Sequence, residues 1–255
     1  MSQDEQGLLR SSFGAAAVEY AAHRPDYAEA AVRWALDPAP GPRVLDLGAG
    51  TGKLTGVLAA SGVEVVAVEP DPAMLAELRR TLPAVRALPG SAEGIPLPDG
   101  TVDAVLSGNA MHWFDMAVAG PEIARVLAPG GVLAGLWNVL DDRVDWVAGL
   151  AEVSGSEAIG PRDTPAGWRA QTADLLDPGL PFGMPRRAEF PHGQRRTAKS
   201  LVATLATKAG MLVLPERERD AALDRSRAYL AGRAETAVGE FVLPMRTCVL
   251  RTVRR

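Results

Sequence analysis

The chain has 255 residues, 47% of them hydrophobic and 23% charged, with a formal net charge of −4. That is ordinary globular composition with enough length for a full core, and its scattered positive charge argues against nucleic acid as the main partner. A single cysteine, Cys248, excludes an internal disulfide framework and any cysteine-built metal site.

No stretch reaches the roughly 18 apolar residues of a membrane span, and the acidic, polar first residues do not read as a secretory signal. A reduced, cytoplasmic setting without a membrane partner is the expectation. The three histidines, His23, His112 and His192, lack ligand-pair spacing, so no metal is expected.

In chain order, a helix is expected over 26–36, just after Pro25. A compact apolar strand follows at 43–47 and runs into glycines. Residues 53–61 have helical spacing, with Leu54, Val57 and Leu58 on one face. A second strand occupies 64–68. Asp71 followed by Pro72 is a helix start, an N-cap side chain and then a proline whose missing N–H costs nothing there. That helix carries Met74, Leu75 and Leu78 inward and ends near Pro83.

A weaker third strand is expected over 85–88, a loop over 90–98 and a fourth strand over 102–107. A helix over 122–127 stops at Pro129-Gly130-Gly131, before a fifth strand at 132–137. Strands alternating with helices at this pitch imply right-handed crossovers in a doubly wound, mainly parallel α/β sheet. Beyond it, helices are expected over 144–153, 197–207 and 216–231. A final strand follows at 241–243 and 247–253, bent at Pro244.

The chemistry concentrates in Asp46-Leu47-Gly48-Ala49-Gly50-Thr51-Gly52. A strand that ends in glycines and opens into a helix lets backbone approach a ligand closely and offers unpaired N–H groups to negative charge. A nicotinamide-binding loop would read Gly-x-Gly-x-x-Gly. Here the third glycine arrives one residue early, and Asp46 stands at the rim of the loop. A carboxylate there is a poor neighbour for a pyrophosphate and a good one for an ammonium or sulfonium. Glu69 ends the next strand, 17 residues beyond Gly52, about where a ribose-binding acid stands in nucleotide-binding βαβ units.

With these features the sequence resembles the class I S-adenosylmethionine-dependent methyltransferases. It is most similar to the small-molecule enzymes related to the trans-aconitate and ubiquinone-pathway methyltransferases. Residues 44–52 match the family's first motif and Glu69 its ribose acid. Residues 90–98 match the loop over the adenine, 109–114 the segment after strand four, and 125–131 the turn before strand five. Phe13, Tyr20, Arg24-Pro25 and Tyr27 follow the lead-in of a subgroup, and 194–208 and 243–247 resemble its C-terminal region. Ser91 stands where the family often has aspartate.

The resemblance implies a Rossmann-like methyltransferase fold: a seven-stranded sheet with helices on both faces and an antiparallel last strand. It implies one domain, 1–255, with a helical lid at 1–37, a cofactor-binding core at 41–138 and a variable substrate-side region at 139–240. S-adenosylmethionine is the cofactor it implies, bound by Asp46, Gly48, Ala49, Gly50, Gly52, Glu69, Pro70, Ser91, Ala92, Glu93, Asn109, Met111 and Arg24. His112 is the catalytic candidate, a base for a hydroxyl or carboxylic acid, or else a histidine packed beside Trp113 and Phe114. Arg24, near Tyr20 and His23, either pairs with a carboxylate or fixes a helix start. The expected reaction moves a methyl group to a small-molecule acceptor, an oxygen nucleophile in preference to nitrogen or carbon. The alternative is a non-catalytic S-adenosylmethionine-binding sensor or partner module. The oligomeric state stays open.

Overall fold

The computed structural model describes residues 25–177 and 179–255. Helix α1 (Glu29–Leu36) precedes β1 (Arg43–Leu47), α2 (Lys53–Ala60), β2 (Glu64–Glu69), α3 (Pro72–Thr81), β3 (Arg86–Pro89) and β4 (Val102–Gly108). A single 3₁₀ turn, Met111–Trp113, leads to α4 (Met116–Val126), β5 (Leu127–Leu140) and α5 (Asp145–Ser154). A second 3₁₀ turn, Pro161–Asp163, precedes α6 (Pro165–Gln171), β6 (Arg186–Arg196), α7 (Ala198–Ala206), α8 (Ala209–Leu212), α9 (Glu216–Ala231) and β7 (Phe241–Val253).

The seven strands form one sheet in the order β3-β2-β1-β4-β5-β7-β6. β1 to β5 pair in parallel, and β7 runs antiparallel to both its neighbours. The seven-stranded, mainly parallel expectation with an antiparallel last strand therefore holds. β1 and β4 are buried along almost their whole length, as befits parallel strands covered on both faces. No helix among the described residues is long and apolar enough to cross a membrane.

Several elements differ from the sequence expectation. α4 starts at Met116, capped by Asp115, whose carboxylate accepts the Ala117 N–H at 3.1 Å. Pro121 stands inside this helix, and because proline suits a first turn, spacing alone starts the helix after it. β5 runs through Pro129-Gly130-Gly131. Its register against β4 jumps from Val102 opposite Leu127 to Ala104 opposite Val132, a bulge that the left-handed Gly130 (φ 73°) accommodates. β7 is continuous through Pro244. The segment Arg186–Arg196, to which the residue pattern assigns no strand, is β6.

The chain folds as two compact units. One comprises residues 26–137, 171–190 and 247–255. Its core joins Ala31 and Val32 of α1 and Leu54 and Leu58 of α2 to Ala104, Leu106, Leu136 and Val249 of the strands. Arg251 of β7 lies over the Trp34 ring, 3.8 Å from its centroid, and donates to the Trp34 carbonyl, tying β7 to α1. The other unit comprises residues 25, 138–170 and 191–246 among the described residues. It packs Trp146, Val147 and Leu150 of α5 against Leu201 and Leu205 of α7 and Leu230 of α9. Tyr229 donates to the Trp146 carbonyl at 3.0 Å, and Ser154 and Ser226 share a buried bond at 2.8 Å.

The Asp-Pro start of α3 forms as the residues predict. The Asp71 carboxylate accepts the Ala73 and Met74 N–H groups, both at 2.9 Å. Asp71→Ala is expected to cost about 1 kcal/mol in urea unfolding, with Asp71→Asn recovering most of it. An alanine variant as stable as the wild type would deny the cap its role.

Candidate functional site

Strand order reverses between β1 and β4, and in open α/β sheets the crevice beyond the carboxyl ends at such a point receives ligands. The glycine loop leaves β1 there. The Gly48 and Ala49 N–H groups both donate to the Val68 carbonyl at 2.9 and 3.1 Å, fastening the loop to the end of β2. Gly48 has φ 70°, and a Cβ on it would stand 2.8 Å from Ala110 Cβ, with the Phe114 ring at 3.5 Å. Only glycine fits both the conformation and the space. Gly52 is the N-cap of α2, left-handed at φ 90° and without a side-chain capping bond.

Glu69 binds the loop from β2. Its Oε2 accepts the Gly50 N–H at 2.7 Å and its Oε1 the Asp71 N–H at 2.8 Å. Each oxygen keeps lone-pair capacity for a further donor. Burial pushes the Glu69 carboxyl up, against the pull of those two N–H groups.

Asp46 lies beneath the loop rather than at its rim, fully buried, opposite Ala67 on β2 and Leu106 on β4. Its Oδ2 accepts from the Thr55 hydroxyl at 2.6 Å, while Oδ1 has no hydrogen-bond partner. Burial pushes this carboxyl up to about 7; the Thr55 bond opposes the rise and the nearby Glu69 charge adds to it. Two further buried oxygens, Thr51 Oγ1 and Ser107 Oγ, also lack partners. Thr51 belongs to the glycine loop and Ser107 to the last residues of β4, before Gly108. Buried polar atoms are normally satisfied, and the exceptions at Asp46 and Thr51 of the glycine segment suit a polar ligand that completes them.

The segment expected over the adenine leaves the sheet beside Glu69. β3 ends with Pro89 opposite Glu69, and the Gly90 N–H donates to the Glu69 carbonyl at 3.4 Å. Ser91 bridges to Gly94, Ala92 is buried, and Glu93 Oε1 accepts the Asp115 N–H at 3.1 Å. Asn109 closes β4 in the left-handed region (φ 52°), its N–H donating to the Leu136 carbonyl at 2.8 Å. For a residue other than glycine that conformation is uncommon and marks a held position.

The Met111 side chain is buried, its sulfur 3.2 Å from where a Cβ on Gly135 would stand. Nδ1 of His112 accepts the Trp137 indole N–H at 3.2 Å, and the His112 ring centroid lies 5.0 Å from that of Trp113. Pro70 is exposed just past Glu69. Arg24, with Tyr20 and His23, lies outside the described residues. Among the described residues no group of three or more His, Cys, Asp or Glu side chains is placed to hold a metal ion.

Asp46, Gly48, Ala49, Gly50, Gly52 and Glu69 thus share one connected loop and strand end. Residues 91–93 and 109–112 border it through Glu69, Asp115 and Ala110. Residue spacing did not reveal Thr55 as the partner of Asp46, although a hydroxyl between Leu54 and Leu58 on the inner face of a helix was a signal. Nor did it reveal Ala110 and Phe114 against Gly48, Met74 facing Gly50 (Sδ 3.6 Å from a Cβ there), or Trp137 bonded to His112.

A methyltransferase domain model matches residues 45–135. An uncharacterized methyltransferase of Mycobacterium tuberculosis is 44% identical over 220 residues, covering 86% of each chain. A malonyl-[acyl-carrier protein] O-methyltransferase of Methylococcus capsulatus is 40% identical over 142 residues, 51% of each chain. Among solved structures, one assigned as a type II methyltransferase of Anaeromyxobacter dehalogenans aligns with TM-score 0.66 at 25% identity, covering 91% of this chain and 97% of that one. The chain belongs to the class I S-adenosylmethionine-dependent methyltransferases.

Proposed function

We propose that the crevice at the ends of β1, β2 and β4 holds S-adenosylmethionine and that the methyl group passes to an oxygen, a carboxylate or hydroxyl, of a small molecule. The observation that carries this reading is the buried, unpartnered Oδ1 of Asp46 under a glycine loop. A buried carboxyl that burial keeps protonated is poised to ionise once a cation comes beside it. The sulfonium supplies an activated methyl group with a good leaving group, so the protein's task is mainly alignment.

Each residue has a task in this reading. Asp46 faces the cationic amino-acid end of the ligand, and the uncapped start of α2 faces its carboxylate. Glu69, with lone pairs left on both oxygens, accepts the ribose hydroxyls. Ser91, Ala92 and Glu93 border the base, with the Ser91 hydroxyl replacing the more usual carboxylate. Asn109 and the backbone at Met111 line the crevice beyond β4, and Pro70 flanks Glu69; Arg24 lies outside the described residues. Residues 139–240 supply the acceptor side, where variable segments set specificity. The lone, buried Cys248 suits a reducing, cytoplasmic setting.

The tautomer of His112 refines its role. An indole N–H only donates, so Nδ1 accepts and the neutral ring carries its proton on Nε2. In that state Nε2 is a donor rather than a base, and His112 orients an acceptor oxygen by hydrogen bonding. Support for oxygen comes from this donor and from the name of the malonyl-[acyl-carrier protein] O-methyltransferase.

The test is transfer of labelled methyl from S-adenosylmethionine across a panel of carboxylic acids, alcohols, amines and carbon acids, with a co-crystal of S-adenosylhomocysteine. Label in esters or ethers is the expected result, with the ligand along residues 46–52 and Glu69. Label only in amines or on carbon would end the oxygen assignment, and a ligand elsewhere would end the site assignment. His112→Ala is expected to spare S-adenosylhomocysteine binding and to slow turnover; unchanged turnover would remove His112 from the catalytic residues.

A further inference from the structure

Arg125 near the end of α4 uses all five of its N–H donors, two on Glu122 of its own helix and three on the stretch 95–99. Nε and Nη2 donate to the Glu122 carboxylate at 2.8 and 2.7 Å. Nη1 donates to the Leu97 carbonyl at 2.9 Å and the Asp99 carboxylate at 2.6 Å, and Nη2 also reaches the Ile95 carbonyl at 3.1 Å. Glu122 Oε1 in turn accepts the Ile95 N–H at 2.8 Å. Both backbone groups of Ile95 are therefore held by one ion pair. Ala92, Ile95 and Leu97 bury their side chains, so the segment is anchored from within as well.

A saturated guanidinium has no donor left for a ligand. Its effect passes through the segment it holds, 91–98, which leaves β3 at the point where Pro89 lies opposite Glu69. A nucleobase is bonded to its ribose, so a sugar held at Glu69 delivers its base to the chain leaving the adjacent strand. The far end of that segment is gripped by Arg125 and Glu122 of α4. Such a two-ended hold fixes the backbone that must face the flat edge of the base.

We propose that Arg125 and Glu122 are positioning residues for nucleobase recognition: they hold the 91–98 backbone in the shape that distinguishes adenine from other bases. This rests on the placement of the cofactor proposed above. Neither side chain touches the ligand. The cost of ordering the segment is met within the folded protein by the five-donor clamp, so binding needs less ordering and discriminates more sharply.

The experiment measures calorimetric affinities of S-adenosylhomocysteine and S-inosylhomocysteine, which differ at the 6-position of the base, for wild type, Arg125→Gln and Arg125→Lys. Wild type is expected to favour the adenosyl ligand. Arg125→Gln is expected to weaken that ligand about tenfold, the size of one ordering contribution, with less effect on the inosyl ligand, so the ratio falls toward one. Arg125→Lys keeps the charge but reaches fewer of the acceptors, and reads the same ratio should the glutamine variant fail to fold.

A folded variant that weakens both ligands equally, or that keeps the wild-type ratio, would overturn the positioning role. A wild type that binds both ligands alike would overturn it too. If wild type binds neither ligand, the cofactor placement itself falls, and the clamp with it. The first three outcomes leave that placement standing.

Discussion

Asp46→Asn is expected to make the ligand-free protein more stable at neutral pH while weakening its hold on the cofactor. The Asp46 carboxyl is pushed up to about 7 by burial, so the folded state keeps a proton that the unfolded chain releases in the ordinary carboxylate range. Its contribution to stability is then fully present below that range, is lost as pH rises toward 7, and is flat above it. A displacement of that size corresponds to roughly 4 kcal/mol.

Asp103, Glu122 and Asp141, held below the usual carboxylate range by hydrogen bonds from Arg43, Arg125 and Arg143, act in the opposite sense in acid. They are common to both proteins, so the difference between variant and wild type isolates Asp46. Urea unfolding from pH 4 to 8 should show that difference growing in favour of asparagine up to neutrality. With saturating S-adenosylhomocysteine the gap should narrow, because the ligand favours the wild type. Loss of a charge-assisted contact, about 1.5–3 kcal/mol, predicts roughly ten- to hundredfold weaker binding. Parallel stability curves, or unchanged affinity, would contradict the assignment of Asp46 as the carboxylate awaiting a cation.

Gly48→Ala is expected to be as damaging through shape alone. At φ 70° a side chain costs about 1–2 kcal/mol, and a Cβ 2.8 Å from Ala110 Cβ adds overpacking of about 1–3 kcal/mol. The loop would also be pushed out of the crevice. Two companions separate the causes. Gly100 has φ 63° with nothing within 4 Å of a Cβ, so Gly100→Ala carries backbone strain alone. Ala110→Gly in the Gly48→Ala background removes the clash and should restore part of both stability and S-adenosylhomocysteine affinity. Equal losses at Gly48 and Gly100, with no rescue, would mean that the close approach of Ala110 does not govern the loop.

The parts legible in the sequence are those written in local pattern. β1, β2 and β4 are short, mainly apolar runs, as befits strands inside a covered sheet, and the start of α3 is written in Asp71-Pro72. Asp46, Glu69 and the glycines were found by spacing, since a strand–loop–helix turn fixes their separation. What escaped depends on partners far apart in the chain. Thr55 turns Asp46 inward from the expected rim, and Trp137 occupies the Nδ1 of His112 from 25 residues away. Arg125 reads locally as the end of a helix, and only folding reveals its hold on Ile95 and Leu97. β6 escaped because its residues, with arginine at both ends and Pro191 between, show no alternation of apolar and polar positions; its neighbour β7 decides its structure.

That composition has a consequence for solubility. β6 is one edge of the sheet and β3 the other. β3 is only four residues long and ends in Pro89, so it offers little ladder to an incoming strand. β6 is long, but Arg186, Arg187, Pro191 and Arg195 are exposed along it. An added strand would meet a missing N–H at Pro191 and would have to bury or displace guanidinium groups. Both borders of a largely apolar sheet are thus closed to strand addition, which guards the chain against edge-to-edge aggregation.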